Sequence, residues 1–260
     1  MTDRRLFLTR QNLRTTVANA EPQLTEIKAR FFSAAAHELR TPLTTIVGYL
    51  EMLLNDEFGP LSEKQREPLE VVNESARRLR TVTNNLLAVA QLEAGRINLD
   101  MQPTDLSSLV RTVTDSIEPQ LRDKAQRLEL DAPSDLPPAL CDVSRTMQVA
   151  DILLSRACER TPEGGVIGVR VTQAGEEGFL RIRVTDTGVA LGAKEMAEMA
   201  QCLSLGGLGL VEADVANLEL CVACSLVELH SGRAWCESGA ERGCSFYVTF
   251  PIADGTAETS

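Results

Sequence analysis

Residues 32–43 read Phe-Ser-Ala-Ala-Ala-His37-Glu38-Leu39-Arg40-Thr41-Pro42-Leu43, which sets one of the chain's two histidines beside a carboxylate and little more than a helical turn before a proline. An imidazole that ionises near neutral pH keeps an unprotonated ring nitrogen, so it can attack a phosphoryl group. Glu38 can hold the other ring nitrogen and accept its proton. Thr41, four residues on, lies on the same helix face as His37. Pro42 removes one backbone donor and crowds the carbonyl four residues back, which predicts a bend just past the histidine.

A second cluster of reactive side chains is Cys221-Val-Ala-Cys224, a metal half-site by spacing, with only His230, Cys236 and Cys244 near enough in sequence to complete it. Buried helical cysteines explain the pair more simply, and no metal site is expected. Seven cysteines form an odd set without disulfide-framework spacing and are read as reduced. A net charge of −11 argues against nucleic acid or an anionic membrane surface as the main partner, although Arg77, Arg78 and Arg80 make a small basic patch. No stretch approaches the roughly 20 apolar residues of a membrane span. Arg4 and Arg5 precede no apolar core of signal-peptide length, so a cytoplasmic location is expected.

The elements that must position these groups follow from periodicity. Residues 6–30 are polar and helix-permissive, interrupted at Pro22. From Leu24 to Leu54 the positions Leu39, Leu43, Ile46, Leu50 and Leu53 step by four and three, a heptad seam. Asn55–Pro60 is rich in turn residues, and Ser62 with Gln65 is a capping-box pattern for a second helix reaching about Ala94, with Pro68 near its start. Leu69, Val72, Ala76, Leu79, Leu86 and Ala90 repeat the seam, Thr83 fills one position, and Gly95 ends the helix. One hairpin cannot bury both seams, so pairing with a second copy is expected. Beyond Gly95 the pattern predicts strands at Ile97–Met101, Arg127–Leu130, Val166–Thr172, Gly178–Val184, Ala234–Glu237 and Ser245–Phe250. It predicts helices at Asp105–Leu121, Ser144–Glu159 and Leu220–His230, hence one mixed sheet with helices on one face.

The run His37-Glu38-Leu39-Arg40-Thr41-Pro42-Leu43 resembles the phosphoacceptor box of the two-component sensor histidine kinases, and the later elements resemble the ATP-binding domain of the same family. The resemblance implies an α + α/β chain: a helical hairpin forming a dimeric four-helix bundle, followed by an α/β sandwich of the histidine-kinase ATPase type. It divides the sequence into an N-terminal helical segment (1–23), a dimerisation and phosphoacceptor domain (24–95), an ATPase-like domain (96–252) and a disordered tail (253–260). It assigns His37, Glu38 and Thr41 to catalysis and Arg40 and Pro42 to structure at the site, and it implies a response-regulator receiver domain and a second copy of the chain as partners.

The ATPase half departs from the family's three nucleotide motifs. The tail Thr161-Pro162-Glu163-Gly164-Gly165 fixes the register of the first. In that register the two asparagines of the family fall at Ile152 and Arg156, and Glu159 and Arg160 follow. A guanidinium offers Mg²⁺ no oxygen, and Glu159 would repel phosphates. In the second motif Asp186 and Gly188 remain, with Asp186 able to accept from an adenine amino group, while Ala190 replaces a glycine. The third has no glycine at its expected place, although Gly206, Gly207 and Gly209 lie upstream and could cradle phosphate through backbone N–H groups or be a remnant of the lid. The resulting expectation is a phosphotransfer protein or pseudokinase: phosphoryl exchange between His37 and a receiver aspartate, no certain cofactor, and weak or absent ATP and Mg²⁺ binding. A true ATP-dependent kinase with a rebuilt site and a non-catalytic dimeric scaffold are the alternatives. Input is expected from an upstream sensor partner through residues 1–30.

Overall fold

A computed structural model describes residues 34–36, 38–93, 95–175, 178–192, 218–239 and 243–253. The segment 1–23 and residues 254–260 of the tail lie outside them. The chain divides into two compact units, Met1–Ile97 and Asn98–Ser260.

In the first unit, α1 (residues 38–54) and α2 (Glu63–Glu93) form an antiparallel hairpin. The turn closes where the sequence predicts. The Gln65 side chain reaches back to the Ser62 N–H at 3.0 Å, while Ser62 Oγ donates to the same oxygen at 2.7 Å instead of capping the Gln65 N–H. This is one arm of a capping box. Arg66 braces the turn from the second helix, donating to the Leu54 carbonyl and to Asp56 Oδ1, each at 2.7 Å. At the far end Arg96 N–H bonds to Gln91 O and Gly95 N–H to Leu92 O, with Gly95 at φ +60°. That is the paired-bond helix stop for which glycine is the cheapest residue.

The seam splits. Val47, Leu50 and Ala76 pack together with Leu69, and Leu43 is buried, but Leu39 and Ile46 stay 48% and 45% exposed. Val47 thus takes the place expected of Ile46. One helix can turn only one stripe towards its hairpin partner. The remaining apolar positions, Leu39, Ile46, Tyr49 and Met52 on α1 and Val71, Val72 and Leu79 on α2, are left facing outward in the single chain.

The second unit is a five-stranded sheet in the order β2-β4-β5-β7-β6, with a two-stranded β1-β3 ladder beside it. Its strands are β1 (Gln102–Thr104), β2 (Arg127–Asp131), β3 (Ala139–Cys141), β4 (Val166–Gln173), β5 (Phe179–Asp186), β6 (Ala234–Ser238) and β7 (Cys244–Pro251). β2 and β4 are parallel and the other neighbours antiparallel. Helices α3 (Leu106–Asp123), α4 (Val143–Arg160) and α5 (Leu218–Leu229) bury their apolar stripes together with one sheet face. Asp105 and Asp142 cap α3 and α4 through bonds to Ser108 N–H and Arg145 N–H, the short-side-chain acceptors a helix start requires.

One expectation fails here, and one ladder was not foreseen. Residues 97–101 are not a strand; the ladder begins at Gln102 and pairs with Ala139–Cys141, which the pattern did not reveal. Three-residue strands are too short to show alternation, and Pro103 reads as a breaker. The remaining elements lie within a few residues of where periodicity places them.

Candidate functional site

On α1, Glu38, Arg40 and Thr41 are helical and exposed. His37 itself lies outside the described residues. Pro42 sits within helical backbone and leaves the Glu38 carbonyl without its usual donor. The turns beyond it are buttressed by side chains: Thr44 Oγ1 donates to Arg40 O at 2.9 Å, and Thr45 Oγ1 to Thr41 O at 3.2 Å. Arg40 Nε crosses the hairpin to Asn84 Oδ1 at 3.0 Å, and lower down Arg77 meets Glu51 at 2.7 Å. Arg40 therefore ties the acceptor helix to its neighbour at the level of the box. Thr41, four residues from His37, is exposed on the same helix.

In the sheet unit, strand parity decides the site. β5 alternates half-buried and buried residues, so Leu180, Ile182, Val184 and Asp186 all point to the helix-covered face. A carboxylate ends a row of core side chains and is itself buried. Its Oδ1 accepts from Gly188 N–H at 2.8 Å and from Cys244 N–H at 3.3 Å. Its Oδ2 is buried without a hydrogen bond and faces Arg160 Nε at 3.6 Å. Arg160, at the end of α4, also donates through Nη2 to Val189 O at 2.5 Å. The guanidinium thus lies against the Asp-Thr-Gly turn.

Two glycines are needed here for packing alone. A Cβ on Gly188 would fall 2.4 Å from Arg160 O, and one on Gly243, at φ +60°, 2.2 Å from Asp186 O. Thr187 closes the other side, exchanging bonds with Val166 through its N–H and Oγ1. Arg156 lies one turn before Arg160 on α4, so the two guanidiniums share a helix face. Ile152 is buried in the core. Gly206, Gly207 and Gly209 lie outside the described residues.

The His Kinase A (phospho-acceptor) domain family matches residues 27–95, and the histidine kinase-, DNA gyrase B- and HSP90-like ATPase family matches residues 141–254. The chain belongs to the two-component sensor histidine kinase family. Among curated relatives, it is similar to the circadian input-output histidine kinase CikA of Synechococcus elongatus, with 31% identity over 86% of this chain and 30% of that protein. It is similar to the histidine protein kinase DivJ of Caulobacter vibrioides, with 30% identity over 86% of this chain and 37% of that protein. The chain spans less than half the length of these relatives. In fold it matches full-length ShkA, solved in complex with AMPPNP, at a TM-score of 0.65 with 24% identity over 88% of this chain and 47% of that one. It also matches the Acinetobacter baumannii histidine kinase AdeS at a TM-score of 0.56 with 20% identity, over 84% of this chain and 98% of that one.

The other histidine of this histidine kinase chain is structural. His230 is buried; its Nε2 accepts from Asp142 N–H at 3.0 Å, its Nδ1 faces Leu226 O at 2.7 Å, and Phe250 packs edge-on to the ring. Those partners fix a neutral ring with the proton on Nδ1, and burial lowers its pKa below the ordinary histidine value. Burial pushes the Asp142 carboxyl up, but bonds from Arg145 N–H, Asp100 N–H and Ser144 outweigh it and hold the group below the usual carboxylate range. No group of three or more His, Cys, Asp or Glu among the described residues is placed to hold a metal ion. Cys141, Cys158, Cys224, Cys236 and Cys244 are not disulfide-bonded, whereas Cys221 is, which corrects the expectation of a fully reduced set. No helix among the described residues is long and apolar enough to cross a membrane.

Sequence reasoning missed three participants: Arg160 as the partner of Asp186, Gly243 as the residue that admits it, and Asn84 as the anchor of Arg40. The i, i+4 pair Arg156/Arg160 was a visible signal of a cationic helix face. The other two depend on long-range approach and leave no local trace.

Proposed function

We propose that the chain exchanges a phosphoryl group between His37 and the aspartate of a response-regulator receiver domain, with weak or absent binding of ATP and Mg²⁺. The observation that carries this reading is the Arg160 guanidinium lying 3.6 Å from Asp186 Oδ2, with Arg156 on the same face of α4. In the family register Arg156 stands where an asparagine oxygen would meet the metal. Two fixed cations repel Mg²⁺, and two like charges about 4 Å apart at a protein surface cost on the order of 4 kcal/mol. Mg²⁺ requires oxygen ligands in near-octahedral geometry, so the residues at this end do not fit it. A receiver brings its own metal, so transfer at His37 needs none from this chain. Glu38 would take up the imidazole proton, and Thr41 would orient water where phosphate is removed from the regulator. The outward apolar positions on α1 and α2 support a homodimer, in which a second hairpin covers them. Input from an upstream sensor partner and a cytoplasmic location complete the reading.

One observation favours the alternative of an active kinase with a divergent site. Asp186 Oδ2 is a buried acceptor without a hydrogen bond, the condition an adenine amino group would relieve, and the similar fold of ShkA was solved with AMPPNP. Gly188 does not add to that case, since Arg160 O alone excludes a side chain there. Incubation with γ-labelled ATP and Mg²⁺, beside incubation with a labelled phosphorylated receiver, separates the two. Label is expected on His37 only from the receiver. Prompt labelling from ATP overturns the reading in favour of the kinase, and label from neither source leaves the scaffold.

A further inference from the structure

Outside the acceptor box and the Asp186 pocket, the most reactive grouping among the described residues is a pair of cysteines on the last hairpin of the sheet. β6 pairs with β7 so that Cys236 opposes Phe246 and Ser238 opposes Cys244. Cys236 and Cys244 are therefore diagonal neighbours on one face, about 7–8 Å apart at the backbone, so a bond between their sulfurs needs the two strands to shift slightly. Each thiol is near enough to shift the other's ionisation. Among the described residues β6 is the edge strand, paired on one side only, so it can shift towards its neighbour without breaking a second described ladder. Cys236 is half-buried and lines a small cleft between α5 and this edge, with Leu153, Leu220, Cys224 and Phe246 among its other walls.

The two sulfurs are unequal. The Cys244 side chain lowers the Cys236 thiol, burial opposes this, Arg156 lowers it further and Glu237 works against it; the net direction is down. The Cys236 side chain and burial both push Cys244 up. Burial also raises Cys158, and it raises Cys224 to about 12. One sulfur is thus favoured as a thiolate, the form that reacts with oxidants, beside a thiol placed to resolve the product.

We propose that Cys236 and Cys244 form a peroxide-oxidisable dithiol, in which Cys236 is the attacking and Cys244 the resolving sulfur. The Cys236 thiolate attacks one oxygen of a hydroperoxide; the S–O bond forms, the O–O bond breaks, and the departing hydroxide or alkoxide is protonated. The Cys244 sulfur then attacks Cys236, the S–S bond forms, the S–O bond breaks, and hydroxide leaves as water with the Cys244 proton. Two thiols are oxidised by two electrons and one hydroperoxide is reduced. Because Cys244 N–H is one of the donors to Asp186 Oδ1, the linkage forms at the strand end that holds that carboxylate.

The test is hydrogen peroxide titration of the freshly reduced full chain, followed by alkylation of remaining thiols and peptide mapping. The expected result is a Cys236–Cys244 linkage that forms at least about tenfold faster than Cys158 or Cys224 is lost, is reversed by dithiothreitol, and is distinct from any linkage containing Cys221. In Cys244→Ser, dimedone should trap a sulfenic acid at Cys236; in Cys236→Ser the fast phase should vanish. The wild-type kinetics need no variant to fold. Loss of Cys236 no faster than Cys158, a persistent sulfenic acid at Cys236 in the wild-type chain, or a fast linkage to another cysteine would each overturn the proposal.

Discussion

The acceptor helix and the Asp186 pocket commit their polar side chains in opposite ways. On α1, Glu38, Arg40 and Thr41 face solvent, and the tie at the level of the box, Arg40 to Asn84, holds the helix without burying them. At the end of β5, Asp186 is enclosed, bonded by Gly188 and Cys244, opposed by Arg160 and packed against two glycines that admit no side chain. A group that must meet a large, changing partner is best left on an exposed, locally determined surface. A group bound into long-range packing is preorganised, but a single changed residue on a facing helix alters what it can bind.

The sharpest way to break this contrast is His37→Ala. If the acceptor is local chemistry on a stable hairpin, label transfer from a phosphorylated receiver should fall by three powers of ten or more, on the scale of removing a nucleophile, with an unchanged melting curve. Transfer that survives the change would place the chemistry elsewhere.

His230→Ala tests the opposite region and should cost about 3 kcal/mol by chemical denaturation, since it empties buried volume and orphans the Asp142 N–H. The same ring gives a pH dependence. A histidine held neutral has a folded pKa below its unfolded value of about 6.5, so its contribution is complete above that pH and is lost as pH falls through the folded value. Denaturation midpoints measured downward from pH 7 should decline in the wild-type chain and decline less in a His230→Gln variant.

A smaller effect tests the proposed reading of the α4 face. On that reading Arg156→Asn supplies an oxygen donor and removes a cation, so calorimetric affinity for AMPPNP with Mg²⁺ should rise about tenfold, or 1.4 kcal/mol. Equal affinities in the two chains would remove Arg156 as the obstacle. Smallest of all, Arg77→Ala breaks a half-exposed ion pair across the hairpin and should lower stability by about 0.5 kcal/mol at low salt and less at high salt.

The two regions also differ in how far the amino-acid order alone carries. The box, the hairpin turn at Ser62 and Gln65 and the stop at Gly95 were legible, because each is chemistry between residues a few positions apart. The seam was legible as a seam, yet its division into Leu43, Val47 and Leu50 inside and Leu39 and Ile46 outside was not. That choice belongs to the rotation of one helix against another. β1 and β3 escaped notice because each is three residues long and is defined only by its partner.

Sequence by itself determined the acceptor motif, the order of helices and strands, and the placement of Arg156 and Arg160 on one helix face. Tertiary structure alone decided that Arg160 meets Asp186, that Gly188 is required by Arg160 O, that His230 caps a distant helix start at Asp142, and that Cys236 and Cys244 lie diagonally across one ladder. Local motifs follow from neighbouring backbone geometry, whereas these contacts join residues on different elements and exist only once strand parity and sheet order have brought them face to face.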